Sequence, residues 1–331
     1  MARVGWGIIG CGDIANKAVA PAVNEDPNSS LVAFASSSQE RAEDFSTRHG
    51  AQRAYSDIEA FLADPEIDVV YAASRVYEHL PQTIASAAVG KHVLCEKPMA
   101  LTDAECREMI SACQQAGVNL AIAYYRRYYP KNIKIKELLA SGAIGTPVLV
   151  RMVLTGNYDP TPDDPKIWRV DPAKSAGGPI ADVGSHRLDL LCHWFGDPVA
   201  VAARNETLVH SYPADDADVL LIKMASGVQV TASFHWSIGV GYDTIEIFGT
   251  EGALFSTPTD GANLVLKHAA GTEEFDLPNA ENKHSPLVED FSARVLAGEP
   301  PLYSGEDGAK ATRIIETSFA ASRAEKWVTI E

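Results

Sequence analysis

An apolar run at residues 4–9 ends in Gly10-Cys11-Gly12-Asp13-Ile14-Ala15, and the chain then takes up a helical pattern toward residue 23. Few folds accept a strand that breaks at Gly-x-Gly-x-x-Ala and re-emerges as a helix. Gly10 permits the tight turn, Gly12 lets backbone approach a pyrophosphate, and Ala15 allows close packing of a helix whose N-terminus attracts the anion. The pattern alone is weak, because any tight strand-to-helix turn can use glycine. Its placement between a strand and a helix is what makes Gly10, Gly12, Asp13, Ile14 and Ala15 candidates for holding a dinucleotide.

The first half of the chain continues in the same alternation. Strand-like runs at 30–35, 69–73, 93–95 and 118–123 are separated by helical stretches at 40–49, 57–62, 79–89 and 102–115, the mark of βαβ units and a parallel sheet. The second half differs. After a linking helix at 131–141 and a strand at 148–154 comes a proline-rich loop at 159–165, then a helix at about 182–195. From 199 to 266 the hydrophobic period is two, with turns at Ser226-Gly227 and 239–241, which favours an antiparallel sheet. Helices at 286–297 and 305–324 and a strand at 327–330 close the chain. A length of 331 residues exceeds what one core usually holds, so two domains are expected, at 1–124 and 125–331.

A formal net charge of -16 argues against the broad basic surface that nucleic acid or an anionic membrane needs. No run is long enough to span a membrane, and Met1-Ala2-Arg3 leads into a strand without a secretory apolar region. The five cysteines are an odd set without a C-x-x-C pair, so reduced thiols in a cytoplasmic protein are expected, with neither disulfides nor a metal cluster.

The end of the second strand bears on cofactor choice. A reader of the free ribose hydroxyl would carry Asp or Glu there; this chain has Ala35-Ser36-Ser37-Ser38, with Arg41 one turn on. Ser36, Ser37 and Arg41 suit a phosphate, which favours NADP(H) over NAD(H). The bland alternative is that Ser38 caps the helix and Arg41 is solvated.

Two further stretches carry chemistry. Val93-Leu94-Cys95 is a buried strand that ends in Glu96-Lys97-Pro98, so Lys97 is delivered to the sheet's carboxyl edge, where ligands of open parallel sheets collect. In Gly178-Pro179-Ile180-Ala181-Asp182-Val183-Gly184-Ser185-His186, the four-residue spacing puts Asp182 and His186 on one helical face. A carboxylate beside an imidazole fixes its tautomer and tunes it for proton transfer to an alcohol or ketone. The bland readings are an N-capping Asp182 and a packed His186. Tyr124 and Arg126 leave the last strand of the first domain, and Trp168-Arg169 follow the proline-rich loop. Aromatic faces with phenol and guanidinium groups suit a polyhydroxylated ring.

Together these residues resemble the Gfo/Idh/MocA family, the glucose-fructose oxidoreductase and inositol dehydrogenase superfamily, across essentially the whole chain. The resemblance rests on Gly10 to Ala15, on Val93-Leu94-Cys95-Glu96-Lys97-Pro98, and on Gly178 to Asp189. It implies an α/β Rossmann domain followed by an α+β domain with a large open-faced, mainly antiparallel sheet that often mediates oligomerisation. It also implies a cis Lys97-Pro98 bond, Lys97 beside nicotinamide and substrate, and His186 with Asp182 handling the substrate proton. Ser36 to Arg41 looks most like the NADP-using anhydrofructose reductase branch. One departure stands out: the family's Thr-Pro-Asn or Thr-x-Asn turn is replaced by Ser74-Arg75-Val76-Tyr77, although His79 matches. Ser74, His79 and Glu96 join the cofactor-side candidates, and Arg75 and Tyr77 become candidates for an altered substrate pocket.

The activity so implied is hydride transfer between NADP(H) and a hydroxyl or ketone carbon of a sugar, anhydrosugar or polyol, in a homo-oligomer without metal. The alternatives are an NAD-dependent inositol or aldose dehydrogenase, a tightly held cofactor cycling between two substrates, and a non-catalytic dinucleotide-sensing regulator. An intact Lys97, Asp182 and His186 argues against the last.

Overall fold

The computed structural model describes residues 3–330; Met1 and Ala2, read above as leading into the first strand, lie outside them. Contacts divide the chain into two units. The first comprises residues 1–125 and 280–309, and the second residues 126–279 and 310–331.

The first unit is built on a six-stranded parallel sheet: β1 (Val4–Ile9), β2 (Ser29–Ala35), β3 (Arg53–Tyr55), β4 (Val69–Ala72), β5 (His92–Cys95) and β6 (Leu120–Ile122), in the order β3-β2-β1-β4-β5-β6. All six residues of β1 and all four of β4 are buried, as central parallel strands must be when helices cover both faces. Order reverses between β1 and β4, so the crevice at their carboxyl ends is where such a sheet holds its ligand. The expected helices are present with their signals: Ser38 caps Gln39–His49, Thr102 caps Asp103–Ala116, and Gly117 ends the latter at φ 68°. The strand read at 118–123 is shorter, and the helix read from 79 begins at Val76.

Residues 280–309 return to this unit through packing that sequence periodicity does not report. The helix Ser285–Ala297 lays Phe291 against Trp6, with ring centroids 5.9 Å apart. Ser292 Oγ accepts from the Trp6 indole at 3.2 Å.

The second unit carries a nine-stranded sheet: β7 (Pro147–Asn157), β8 (Pro198–Glu206), β9 (Ala217–Met224), β10 (Gln229–His235), β11 (Ser237–Gly249), β12 (Gly252–Ser256), β13 (Asn263–His268), β14 (Gly271–Asp276) and β15 (Val328–Thr329). Its order is β14-β13-β12-β11-β7-β10-β9-β8-β15. Every pair is antiparallel except β7 with β10, so the sheet is mixed at its centre and antiparallel elsewhere. Along β9 buried and exposed residues alternate, with Leu220, Ile222 and Met224 inside and Val219, Leu221 and Lys223 outside. That alternation is the period of two read in the sequence.

The helix expected from residue 182 is two pieces. A π-helical turn, Ile180–Gly184, runs directly into the α-helix Ser185–Phe195. The register between Asp182 and His186 is therefore not that of an uninterrupted α-helix, and π-turns of this kind recur at functional sites. All five cysteines are buried and unbridged. No helix among the described residues is long and apolar enough to cross a membrane.

Candidate functional site

In the first unit the dinucleotide candidates lie at one sheet edge. Gly10 has φ 103°, and a methyl group there would lie 2.7 Å from the Ala73 carbonyl oxygen, so only glycine fits this turn. Gly12 faces open space, which leaves its backbone approachable, and Ala15 is fully buried. Ile14 and Asp13 begin the helical path at the surface end of the turn. This is the geometry a pyrophosphate requires, and the residues present fit the group.

At the end of β2, Ser38 Oγ accepts the Arg41 amide at 3.3 Å, so its hydroxyl is engaged in capping. Ser36 is half-buried, while Ser37 and the Arg41 side chain are exposed. Ser36 Oγ accepts the Ser38 amide at 3.4 Å, so of the phosphate candidates Ser37 and Arg41 are the exposed ones, and Ser38 serves as the helix cap.

Lys97 emerges from β5, and β5 and β1 flank β4, so Lys97 and the Gly10 to Gly12 turn leave the same edge on either side of β4. The Lys97-Pro98 bond is cis, as the resemblance implied. Behind this turn sits a buried polar network. Tyr71 Oη donates to Glu96 Oε1 at 2.6 Å, the Lys97 amide donates to Glu96 Oε2 at 3.1 Å, and His284 Nε2 lies 3.8 Å from Glu96 Oε1. Burial alone would raise the Glu96 carboxyl, but His284, Lys97 and Tyr71 outweigh it and hold the group below its ordinary value. Tyr125 packs over the His284 ring at 4.3 Å.

His79 is also behind the turn. It is 1% exposed; Nδ1 lies 3.1 Å from the Pro98 carbonyl oxygen and 3.2 Å from that of Met99, and Nε2 lies 3.4 Å from the Ser74 carbonyl oxygen. Burial lowers its pKa, so the ring is neutral, and the shorter contacts assign its one proton to Nδ1. Glu96 and His79, proposed from sequence as cofactor contacts, thus have their polar atoms turned to the protein. Their geometry suits holding the Lys97 turn in place. Ser74 Oγ donates to Gln82 Oε1 at 2.7 Å, and Arg75 and Tyr77 are exposed.

In the second unit Asp182 accepts from Arg169 at 3.3 Å, and the Arg169 guanidinium lies 5.8 Å from the Trp168 ring centre. Three of the substrate-side candidates, Trp168, Arg169 and Asp182, therefore form one local group. His186 is buried in the first turn of the α-helix that continues from it. Arg126 is buried and pairs with Asp260 at 2.8 Å. Tyr124, by contrast, closes the first unit and is 2% exposed.

Sequence reasoning missed several partners. Arg127 Nε donates to Asp189 Oδ2 at 2.9 Å with both residues buried, which ties the turn Tyr125–Tyr128 to the helix bearing His186. Arg187 donates to Asp243 at 2.7 Å and to the Val183 carbonyl oxygen at 2.7 Å, closing over the π-turn. A signal was present in Asp189: an acid within an apolar helical stretch must be paired when buried. Nothing local marks Tyr71 or His284 as the neighbours of Glu96.

A parallel sheet with the 3-2-1-4-5-6 order and a Gly-x-Gly turn at its switch point, with Lys97 leaving the same edge, is the architecture of a dinucleotide-binding oxidoreductase domain. Residues 4–124 match the family model described as an oxidoreductase family with an NAD-binding Rossmann fold, and residues 133–255 match that of the GFO/IDH/MocA C-terminal domain. The chain belongs to the GFO/IDH/MocA oxidoreductase family. Among its relatives are a 1,5-anhydro-D-fructose reductase from Ensifer adhaerens, 30% identical over 92% of this chain and 91% of that protein, and a myo-inositol 2-dehydrogenase from Thermotoga maritima, 30% identical over 85% of each. The structure of an aldose-aldose oxidoreductase from Caulobacter crescentus, complexed with glycerol, superposes with a TM-score of 0.90 at 28% identity, covering 99% of both chains.

Proposed function

We propose that this chain is an NADP(H)-dependent oxidoreductase that moves a hydride between nicotinamide C4 and a hydroxyl-bearing or ketone carbon of a sugar, anhydrosugar or polyol. The observation that carries the reading is the shared sheet edge from which the Gly10 to Gly12 turn and Lys97 emerge, with Lys97 backed by the Glu96, Tyr71 and His284 network. The relatives' names, a reductase of an anhydrosugar and a dehydrogenase of an inositol, support the substrate class.

The backbone at Gly10 and Gly12 would receive the pyrophosphate, and Ser36, Ser37 and Arg41 the phosphate that distinguishes NADP. Bound there, the cofactor supplies the hydride chemistry; the protein supplies position, charge and the proton. In the reducing direction His186 gives a proton to the forming alkoxide, Asp182 orients the imidazole, and Lys97 hydrogen-bonds the oxygen as charge develops on it. Arg169, holding Asp182 and lying beside Trp168, contributes to the face that receives the ring. Tyr124 and Arg126 complete the substrate-side set.

Absorbance at the nicotinamide band, with NADP+ and NADPH against panels of aldoses, inositols and keto-sugars, tests the reading. Lys97→Ala and His186→Ala should each lower turnover by roughly 10²- to 10⁴-fold while NADPH still binds. Unimpaired turnover in both variants would remove this mechanism. Confirmed cofactor binding with no turnover of any substrate would transfer weight to a dinucleotide-sensing role.

A cytoplasmic homo-oligomer joined through the open face of the second sheet completes the proposal. Its support is the set of buried unbridged cysteines and the apolar residues Val219 and Leu221, 49% and 47% exposed on that face.

A further inference from the structure

Asp215 and Asp218 are both buried, at 8% and 0% exposure, and both accept amides from the segment that leads into Asp182 and His186. The Gly178 amide donates to Asp215 Oδ1 at 3.0 Å, and the Ile180 amide donates to Asp218 Oδ2 at 3.1 Å. These are the amides that open the π-turn Ile180–Gly184, groups that no carbonyl within the turn can satisfy. The remaining oxygen of Asp218 is taken as well, by Asn205 Nδ2 at 2.6 Å. Asp215 Oδ2 is the exception: it is buried and receives no hydrogen bond from any N–H or hydroxyl group. The two carboxyls thus accept amides two residues apart on one short segment, and each acts on the other's ionisation. Two buried carboxyls coupled in this way cannot both be ionised, and the Asp215 oxygen that lacks a donor is where a proton between them sits.

We propose that Asp215 and Asp218 are positioning residues: a carboxyl pair sharing one proton that seats the 178–184 segment and thereby sets the placement of Asp182 and His186. The inference rests on the reading of those two residues given above.

The surroundings agree with a single negative charge. In the sheet Asp218 lies between Asn205 of β8 and Phe234 of β10. The next acid, Asp216, faces the amides of Leu208, Val209 and His210, and acts on the pair only as a further negative charge. The His210 ring lies 3.7 Å from Asp159, Asp216 acts on His235 against its burial, and the Tyr212 phenol is pushed up by burial and by Asp216, Asp159 and Asp215, so it stays protonated. On the seated segment the charged pair is Asp182 with Arg169. Burial, followed by the partner's charge, pushes the Asp218 carboxyl well above its ordinary value, and burial pushes up that of Asp215. Packing leaves the segment little other freedom, since a methyl on Gly178 would run into the Asp215 carbonyl and one on Gly177 would lie 2.9 Å from the Phe319 ring.

Asp215→Asn places an amide N–H where the shared proton sits, and Asp215→Ala removes both the proton and the Gly178 acceptor. Three readouts separate the outcomes: steady-state kinetics, hydrogen exchange of peptides covering 177–186, and melting temperature against pH. Asp215→Ala is expected to lower kcat roughly 100-fold at unchanged NADPH affinity and to speed exchange in 177–186. Asp215→Asn should restore both to within a few-fold of the parent. It should also abolish the fall in melting temperature expected of the parent as pH rises above the ordinary carboxylate value. If Asp215→Asn is as impaired as Asp215→Ala, or if Asp215→Ala leaves kcat and exchange at parental values, the proposal is overturned. Exchange and melting need no substrate, so a failure of the assigned activity would be seen apart from a failure of the carboxyl pair.

Discussion

At the scale of single residues, the proposed preference for NADP(H) over NAD(H) rests on Arg41. Its side chain is exposed, its amide is held by Ser38, and no acid stands at the end of β2. Arg41→Ala should weaken NADPH binding by about tenfold or more, the loss of one charge-assisted contact, and leave NADH binding nearly unchanged. Fluorescence titration with the two cofactors measures this directly; equal weakening of both would show that Arg41 does not read the phosphate. Glu96 and His79 illustrate what a motif leaves open. The Glu-Lys-Pro element was legible in the sequence as the end of a buried strand, but the sequence could not say that Glu96 turns inward to Tyr71 and His284. That orientation depends on partners brought from β4 and from residue 284 by the fold.

In the proposed reading, cofactor binding rests first on the turn joining β1 to its helix. Gly10 sits at φ 103° against the backbone of residue 73, so a side chain there meets both conformational strain and a clash that no rotamer relieves. Gly10→Ala should abolish measurable NADPH binding by calorimetry and lower the melting temperature. Gly12→Ala, facing open space in the protein itself, should fold normally and lose only cofactor affinity. A Gly12→Ala protein that binds NADPH like the parent would place the pyrophosphate elsewhere. Helix starts and stops were readable at this scale because Ser38, Thr102 and Gly117 act through their own neighbours. The π-turn at Ile180–Gly184 was not, because it depends on Arg187 closing over Val183 and on acceptors supplied by Asp215 and Asp218.

For the whole molecule, pH acts on stability through buried acids of opposite character. Burial alone would raise the Asp216 carboxyl, yet three backbone amides from residues 208–210 outweigh it and hold the group below its ordinary value of 3.8. A carboxyl depressed on folding contributes stability that is complete above 3.8 and is lost as pH falls through the folded value. The pair at Asp215 and Asp218 has the opposite sign, since raised carboxyls cost stability as pH climbs from 3.8 toward their folded values. Asp216→Asn should therefore destabilise the protein at neutral pH by on the order of 1–3 kcal/mol and flatten the acid side of the stability curve. Denaturant unfolding at several pH values checks this; an acid limb as steep as the parent's would assign the effect to other groups.

The sequence by itself determined the alternation of strand and helix in the first half, the period of two in the second, the Gly-x-Gly turn and the delivery of Lys97 to a sheet edge. Each of these is encoded within a dozen residues, by hydrophobic period, by capping side chains or by glycine's freedom at positive φ. Tertiary structure alone decided the strand order β3-β2-β1-β4-β5-β6, the return of residues 280–309 to the first unit, and the parallel pairing of β7 with β10. It also decided the pairs Arg127 with Asp189 and Arg187 with Asp243, and the two acids that accept the amides at the start of the π-turn. These join residues far apart in the chain, where the requirement that a buried charge find a partner is general but the identity of the partner is set only when the chain has folded.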